Sequence, residues 1–336
     1  MLQTMIRFDM RAPFDVPHEQ LYPAAVEMAA WADRCGIEVV MLSEHHGTDD
    51  GYCPAPVVLA AAMAARTERI RLRWAAVLLP LHDPVSVAEQ IAVLDQVSGG
   101  RSEVVLGAGY VPREFAMFGA RLEDRAAVVE QRTALIVRAL EGEPIERDGM
   151  SFHVTPRPAQ RPRPPVILGG GVAATARRAA RLTDGFYPTV YDCDLVALYE
   201  SECRALGREP GPVINTGGPL FVHVADDPER AWSVIGPHAL HELNAYGRWA
   251  ADAASRGMVS PFQAVDDVAA ARQCGLYQVV TPDECVALAR RLEESGTVFV
   301  LHPLMGGLPP SCAWESLELF EKKVLPSLVT AGAMGV

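Results

Sequence analysis

Val39-Val40-Met41-Leu42-Ser43-Glu44-His45-His46-Gly47 is the stretch from which the rest of the chain can be read. Its four leading apolar residues, two of them β-branched, have the composition of a strand buried on both faces, and the run ends in an acid and two histidines. A buried parallel strand whose carboxyl end opens into titratable side chains is where α/β barrels and open α/β sheets place their chemistry. The remainder of the chain reads as a scaffold that presents the histidine pair to a bound ligand.

Working outward, Met5-Ile6-Arg7-Phe8-Asp9 is a short first strand. Residues 21–35 carry Ala24, Ala25, Met28, Ala29 and Ala32 at helical spacing, closed by Gly36, so the opening unit is βαβ. The same order recurs downstream: helix 56–66, strand 70–79, helix 85–97, strand 103–106 and helix 122–140. Residues 142–165 break the rhythm with six prolines and an Arg147-Asp148-Gly149 turn, which predicts a surface excursion with a small hairpin. Strand 166–168, helix 173–182, strand 185–189, helix 195–205 and strand 213–224 follow. From 228 to about 275 the chain reads helical and carries Trp232, His238, His241, Tyr246 and Trp249. That length exceeds an ordinary βα connection and predicts a helical insertion covering the site. Helix 282–294, strand 297–301 and helix 314–325 complete the series. Eight strands alternating with helices, joined by right-handed crossovers, predict one (β/α)8 TIM barrel over residues 1–336.

Composition narrows the function. A net charge of -12 without basic clusters argues against nucleic acid or an anionic membrane as partner. The seven cysteines are scattered, without a Cys-x-x-Cys pair, and read mostly as buried thiols of a reducing compartment. Neither a secretory signal nor an apolar run of the roughly 20 residues that span a bilayer is seen, so a cytoplasmic location is expected.

At the predicted carboxyl ends of the strands, glycines and histidines recur. Gly169-Gly170-Gly171 joins a strand to a helix, where free backbone N–H groups could receive a phosphate and Thr175 could add a hydroxyl; the alternative is a merely tight turn. Gly107-Ala108-Gly109 offers bare backbone on which a flat ring could lie, or else a bulge at the barrel rim. Glu114 is expected to cap the helical turn ending at Phe118 rather than to enter the pocket. For His45-His46 three readings stand: metal ligands, with His223 and His302 as partners but no matching acidic cluster; a hydrogen-bonded loop core with Glu44 or Asp49; or a general acid or base near neutral pH. The reading adopted is no metal, catalysis by His45, and an orienting part for Glu44 and His46.

With those residues in place the chain resembles the bacterial-luciferase-like superfamily of flavin- or F420-dependent oxidoreductases. The likeness covers nearly the whole chain and rests on ordered blocks: Glu44-His45-His46 with Gly51; Ala75-Ala76-Val77-Leu78-Leu79-Pro80; His82-Asp83-Pro84 with Ala88-Glu89; Leu94 to Arg101; Leu106-Gly107-Ala108-Gly109 with Glu114-Phe115 and Phe118-Gly119; and Val324-Leu325-Pro326. The resemblance implies a barrel that binds reduced FMN from a separate flavin reductase and uses O2 on a small organic substrate, with His45 moving protons. It further implies a non-prolyl cis peptide at Ala75-Ala76, phosphate contacts at Gly170 and Gly171, and a homodimer. Where luciferase has a cysteine and a basic residue after the fourth strand this chain has Gly107 and Ala108. Where luciferase has an acid and a serine for the phosphate it has Gly170 and Gly171, so light emission is not expected. Hydride transfer with coenzyme F420 is the alternative, and a metal-dependent barrel hydrolase the second.

Overall fold

Met5 lies opposite Val39 and Phe8 opposite Leu42, so the strand bearing the Glu-His-His stretch pairs in parallel with the first strand of the chain. The structure is a computed structural model that describes residues 2–14, 16–254 and 260–332. Its strands are β1 (Thr4–Phe8), β2 (Val39–Leu42), β3 (Arg71–Leu78), β4 (Ser102–Gly107), β5 (Ile145–Arg147), β6 (Met150–Phe152), β7 (Val166–Gly169), β8 (Gly185–Tyr187), β9 (Phe221–Val224), β10 (Tyr277–Val280) and β11 (Phe299–Leu301). β5 and β6 form the small antiparallel hairpin expected in the proline-rich excursion, and the other nine make one parallel sheet in the order β10-β9-β11-β1-β2-β3-β4-β7-β8.

The sheet curls into a ring through residues just ahead of β9. Phe186 donates its N–H to Pro212 (3.0 Å), Ile214 donates to Phe186 (3.1 Å), and Val298 donates to Asn215 (2.8 Å). These extended residues bond to β8 on one side and to the approach to β11 on the other, supplying the eighth stave of an α/β barrel. The strand predicted over 213–224 is therefore divided in two. Gly217-Gly218-Pro219 separates its halves, and a proline without an N–H cannot continue a ladder. The second half, β9, turns outward to pair with β10, a strand the sequence reading did not anticipate.

Side chains alternate along the parallel strands. Met5, Val39, Met41, Ala75, Val105, Ile167, Ile214, Val298 and Val300 fill the interior as one apolar plug. The opposite faces pack against the helices: His18–Arg34 buries Leu21, Ala25, Met28, Ala29 and Ala32, and Pro84–Val97 starts where the Asp83 carboxylate accepts from the N–H groups of Val85 and Ser86. Thr281 and Glu284 form a reciprocal capping box at the start of Pro282–Glu294. The peptide between Ala75 and Ala76 is cis, as the resemblance implied, and the register of β3 against β4 shifts there.

Two further expectations change, the start of the last helix and the burial of the cysteines. The last helix begins earlier than predicted, at Pro310–Leu319, and continues through a widened turn at Phe320–Val324 into Leu325–Gly332. Within the predicted insertion, Pro228–Ala254 is one helix and Val268–Gln273 a second, while 255–259 lie outside the described residues. All seven cysteines are free, but only Cys53, Cys203 and Cys285 are buried, and Cys193 and Cys274 are exposed. Among the described residues no helix is long and apolar enough to cross a membrane.

Candidate active site

A cavity of about 710 Å³ opens at the carboxyl end of the barrel, above the apolar plug. His45, Ala75, Ala76, Gly107, Gly109, Gly169, Gly170, Gly171 and Thr175 all line it, although they come from the ends of four different strands and one helix. Tyr246 and residues 260–262 close part of it from the side of the long helix Pro228–Ala254.

His45 leaves β2 three residues after its last strand position and is buried. Its Nδ1 lies 2.8 Å from Glu114 Oε1, and the same carboxylate oxygen accepts the backbone N–H of His46 at 2.9 Å. Glu114 is 1% exposed, makes no capping bond to its own helix Pro112–Met117, and thus serves the imidazole rather than the turn to which the sequence reading assigned it. A carboxylate on Nδ1 fixes the tautomer and turns Nε2 toward the cavity, the arrangement by which a protein prepares an imidazole to exchange protons. Aromatic rings surround the imidazole: Trp249 at 4.5 Å, Tyr52 at 4.8 Å and Tyr110 at 5.8 Å between centroids.

Glu44 and His46 form a separate unit behind this imidazole. Glu44 Oε1 meets His46 Nε2 at 2.9 Å and His82 Nε2 at 2.6 Å, and Oε2 accepts from Trp74 Nε1 at 3.0 Å. Burial pushes the Glu44 carboxyl upward, but the hydrogen bonds and charge of His46 and His82 outweigh it and hold its pKa below the ordinary carboxylate value. The loop-core reading therefore describes His46, with Glu44 as its partner; Asp49 is 95% exposed and faces Arg113.

The two distant histidines of the metal reading do not join this group. His223 points from the middle of β9 into an apolar layer, where burial alone lowers its pKa to about 4. His302 follows β11 directly and sits between Asp9 Oδ1 (3.6 Å) and Glu242 Oε2 (3.8 Å). The acidic cluster that the sequence reading found missing thus exists, beneath the helix Pro228–Ala254. It also holds Arg11, whose Nε lies 3.5 Å from Asp9, and Arg7, whose Nη2 lies 3.8 Å from Glu242. Two guanidinium groups already oppose those carboxylates, which makes the cluster a poor host for a cation.

Between β3 and β4 the cavity wall is nearly bare. A Cβ built on Gly107 would stand 2.8 Å from the Ala76 methyl, and Gly109, at φ +66°, adopts a left-handed turn that glycine tolerates. This wall of main chain and methyl groups is a shelf suited to a planar ring. At the far side, a Cβ on Gly170 would stand 2.8 Å from Thr175 Cγ2 in the cradle ahead of the helix Ala173–Leu182. Two residues absent from the sequence reading, Arg125 and Arg178, line the cavity on this side. Arg178 lies one turn beyond Thr175, a spacing that could have revealed it. Shelf, N–H cradle, hydroxyl and two guanidinium groups fit a planar ring carrying a phosphate tail.

Comparison with known proteins bears on the family and the fold. The chain is 28% identical to 4-hydroxyprotoasukamycin monooxygenase of Streptomyces nodosus subsp. asukaensis over 320 residues, 90% of this chain and 85% of that protein. It is 26% identical to the FMNH2-dependent dimethylsulfone monooxygenase of Pseudomonas putida over 243 residues, 68% and 64% of the two chains. The crystal structure of monooxygenase RslO1 from Streptomyces bottropensis superposes with a TM-score of 0.76 at 26% identity, over 98% of this chain and all of that one. Two other curated relatives, y4wF and y4vJ of Sinorhizobium fredii, are matched over about half their length, 48% and 46%. Residues 6–298 match the model of the luciferase-like monooxygenases, and the chain belongs to that family.

Proposed function

We propose that the protein is a monooxygenase that takes reduced FMN from a separate reductase and uses O2 to oxidise a small organic substrate. The observation that carries this reading is the position of His45, held by Glu114 at 2.8 Å, on a cavity whose other walls are the Ala75-Ala76 and Gly107 shelf and the Gly169-Gly170-Gly171 cradle. The cradle's N–H groups other than that of Gly170, which bonds to the Tyr187 carbonyl at 3.0 Å, the Thr175 hydroxyl and the cations of Arg125 and of Arg178, which also pairs with Glu130 at 3.0 Å, would hold the phosphate. The shelf between β3 and β4 would carry the ring. When bound, the cofactor supplies the electrons that reduce oxygen. His45 Nε2 gives or takes the proton at the reacting edge, and Glu114 stabilises the imidazolium while Nδ1 stays protonated. Tyr246, Trp249 and Phe262 screen the imidazole from water. The same reading includes a homodimer, measurable by light scattering.

Two titrations test it. The protein is mixed anaerobically with reduced FMN or reduced F420, and oxygen uptake is followed on admitting air with a panel of small ketones and phenols. Tight binding of reduced FMN with substrate-dependent oxygen uptake is expected. Binding of F420 alone, with hydride transfer and no oxygen uptake, would replace this reading, and binding of neither would remove it.

A further inference from the structure

Arg7 rises from β1 into the cavity, four strands around the ring from the Gly169 end of β7. It is 6% exposed, and its guanidinium makes one hydrogen bond among the described residues, from Nη2 to the Tyr246 hydroxyl at 2.8 Å. Its Nε is buried without a partner. The nearest carboxylate, Glu242, is 3.8 Å away, too far for a hydrogen bond. Burial raises the Glu242 pKa above the ordinary value although the charge of Arg7 works against it, so that carboxyl opposes Arg7 through space without bonding to its guanidinium.

The tyrosines add donors rather than acceptors. Tyr246 and Tyr52 share one hydrogen bond, 2.7 Å between hydroxyl oxygens, and both line the cavity. Tyr246 already accepts from Arg7, and the shared bond uses a single phenolic proton, so one of the two hydroxyls retains a proton with no acceptor among the described residues. A buried cation is stable when something opposes it. At this end of the cavity the protein supplies N–H and O–H donors and leaves the acceptor to the ligand.

We propose that Arg7, with Tyr52 and Tyr246, binds a delocalised oxyanion on a planar ring: the enolate or phenolate of an acidic substrate, or the ring oxyanion of the reduced cofactor. The proposal rests on the reading of this cavity as a cofactor and substrate chamber, and its two experimental arms separate those sources.

In the first arm the cofactor-free protein is titrated calorimetrically at pH 7 with 2-hydroxy-1,4-naphthoquinone, which is ionised, and with uncharged 1,4-naphthoquinone. A substrate post predicts that the anion binds at least about tenfold more tightly than the neutral ring, as expected of charge-assisted hydrogen bonding. Arg7→Met should abolish that preference without weakening the neutral ring, and Arg7→Lys should keep part of it. In the second arm oxidised and reduced FMN are titrated anaerobically against wild type and Arg7→Met. A loss of about tenfold confined to the reduced form assigns the oxyanion to the cofactor. If the preference is absent in wild type in both arms, or Arg7→Met weakens charged and uncharged ligands alike while lowering the melting temperature, Arg7 is a counterion of Glu242 and the proposal is overturned. Should Arg7→Met not fold, the wild-type preference and its reduction in Tyr246→Phe decide. Failure of FMN to bind would remove the monooxygenase reading and leave the first arm intact.

Discussion

Replacing Glu114 by Gln keeps the shape of the side chain and removes its charge, so it isolates what the carboxylate does for His45. In the structure Oε1 accepts from His45 Nδ1 at 2.8 Å and from the His46 N–H at 2.9 Å, in a site where Glu114 is 1% exposed. A hydrogen bond to a buried carboxylate contributes about 2 kcal/mol, which favours the Nδ1–H tautomer by roughly thirtyfold. A neutral amide oxygen contributes about half as much, leaving a preference of roughly fivefold. The change is read from the ring-nitrogen resonances of 15N-histidine-labelled protein, with His45 assigned by its loss in His45→Asn. In wild type, one nitrogen should resonate as fully protonated and the other as bare; in Glu114→Gln both should move toward intermediate values. Turnover with any accepted substrate should fall by about ten- to thirtyfold, because a neutral amide no longer stabilises the imidazolium formed when Nε2 takes a proton; the tautomer shift by itself, from about 97% to about 84% of the Nδ1–H form, costs little. Identical ring-nitrogen resonances in the two proteins would refute the claim that Glu114 fixes the imidazole.

Gly170→Ala places a methyl 2.8 Å from Thr175 Cγ2 in the proposed phosphate cradle, at φ +156°; melting temperature should fall with the backbone strain, and cofactor affinity of the folded protein, measured by fluorescence titration, should drop by at least about tenfold. Unchanged affinity would move the phosphate elsewhere. His223 is held neutral by burial, with a pKa of about 4 against 6.5 when unfolded. The unfolded chain then binds the extra proton between those values, so this residue's contribution to stability is full above pH 6.5 and is lost as pH falls toward 4. Urea denaturation at pH 7 and 4.5 should show His223→Phe sparing about 2–3 kcal/mol of the wild-type loss, and equal losses in both proteins would contradict it. Glu44→Ala strips the acceptor from Trp74, His46 and His82 at once, which should destabilise the fold by about 3–5 kcal/mol; a chemical denaturation midpoint unchanged from wild type would show the cluster to be dispensable.

How far the sequence reaches can be judged residue by residue. The alternation of apolar runs with helical spacing is a local property, and it carried the strand and helix order, the buried β2 and the placement of His45 and the glycine turns near strand ends. Helix Ala173–Leu182 and helix Pro282–Glu294 fall on their predicted limits because their start signals lie within a few residues of themselves. β10 escaped because it follows directly on a segment read as helical, and the break before β9 because Gly217-Gly218-Pro219 looked like part of one long strand.

The partners of the site were legible only in three dimensions. Glu114 stands 69 positions from His45, Glu44 38 from His82, and Arg7 239 from Tyr246. No periodicity of 2 or 3.6 residues reports on such distances. Apart from β10 and the break before β9, the sequence alone determined the order of strands and helices and which side chains they carry to their ends. Closure of the ring decided which of those ends meet: wrapping the sheet around an apolar plug brings β1 opposite β7 and lowers the helix Pro228–Ala254 onto the mouth. That same closure removes water from Arg7 and Glu114, and it is the removal of water that strengthens the bond of Glu114 to His45 and leaves the Arg7 guanidinium with few partners.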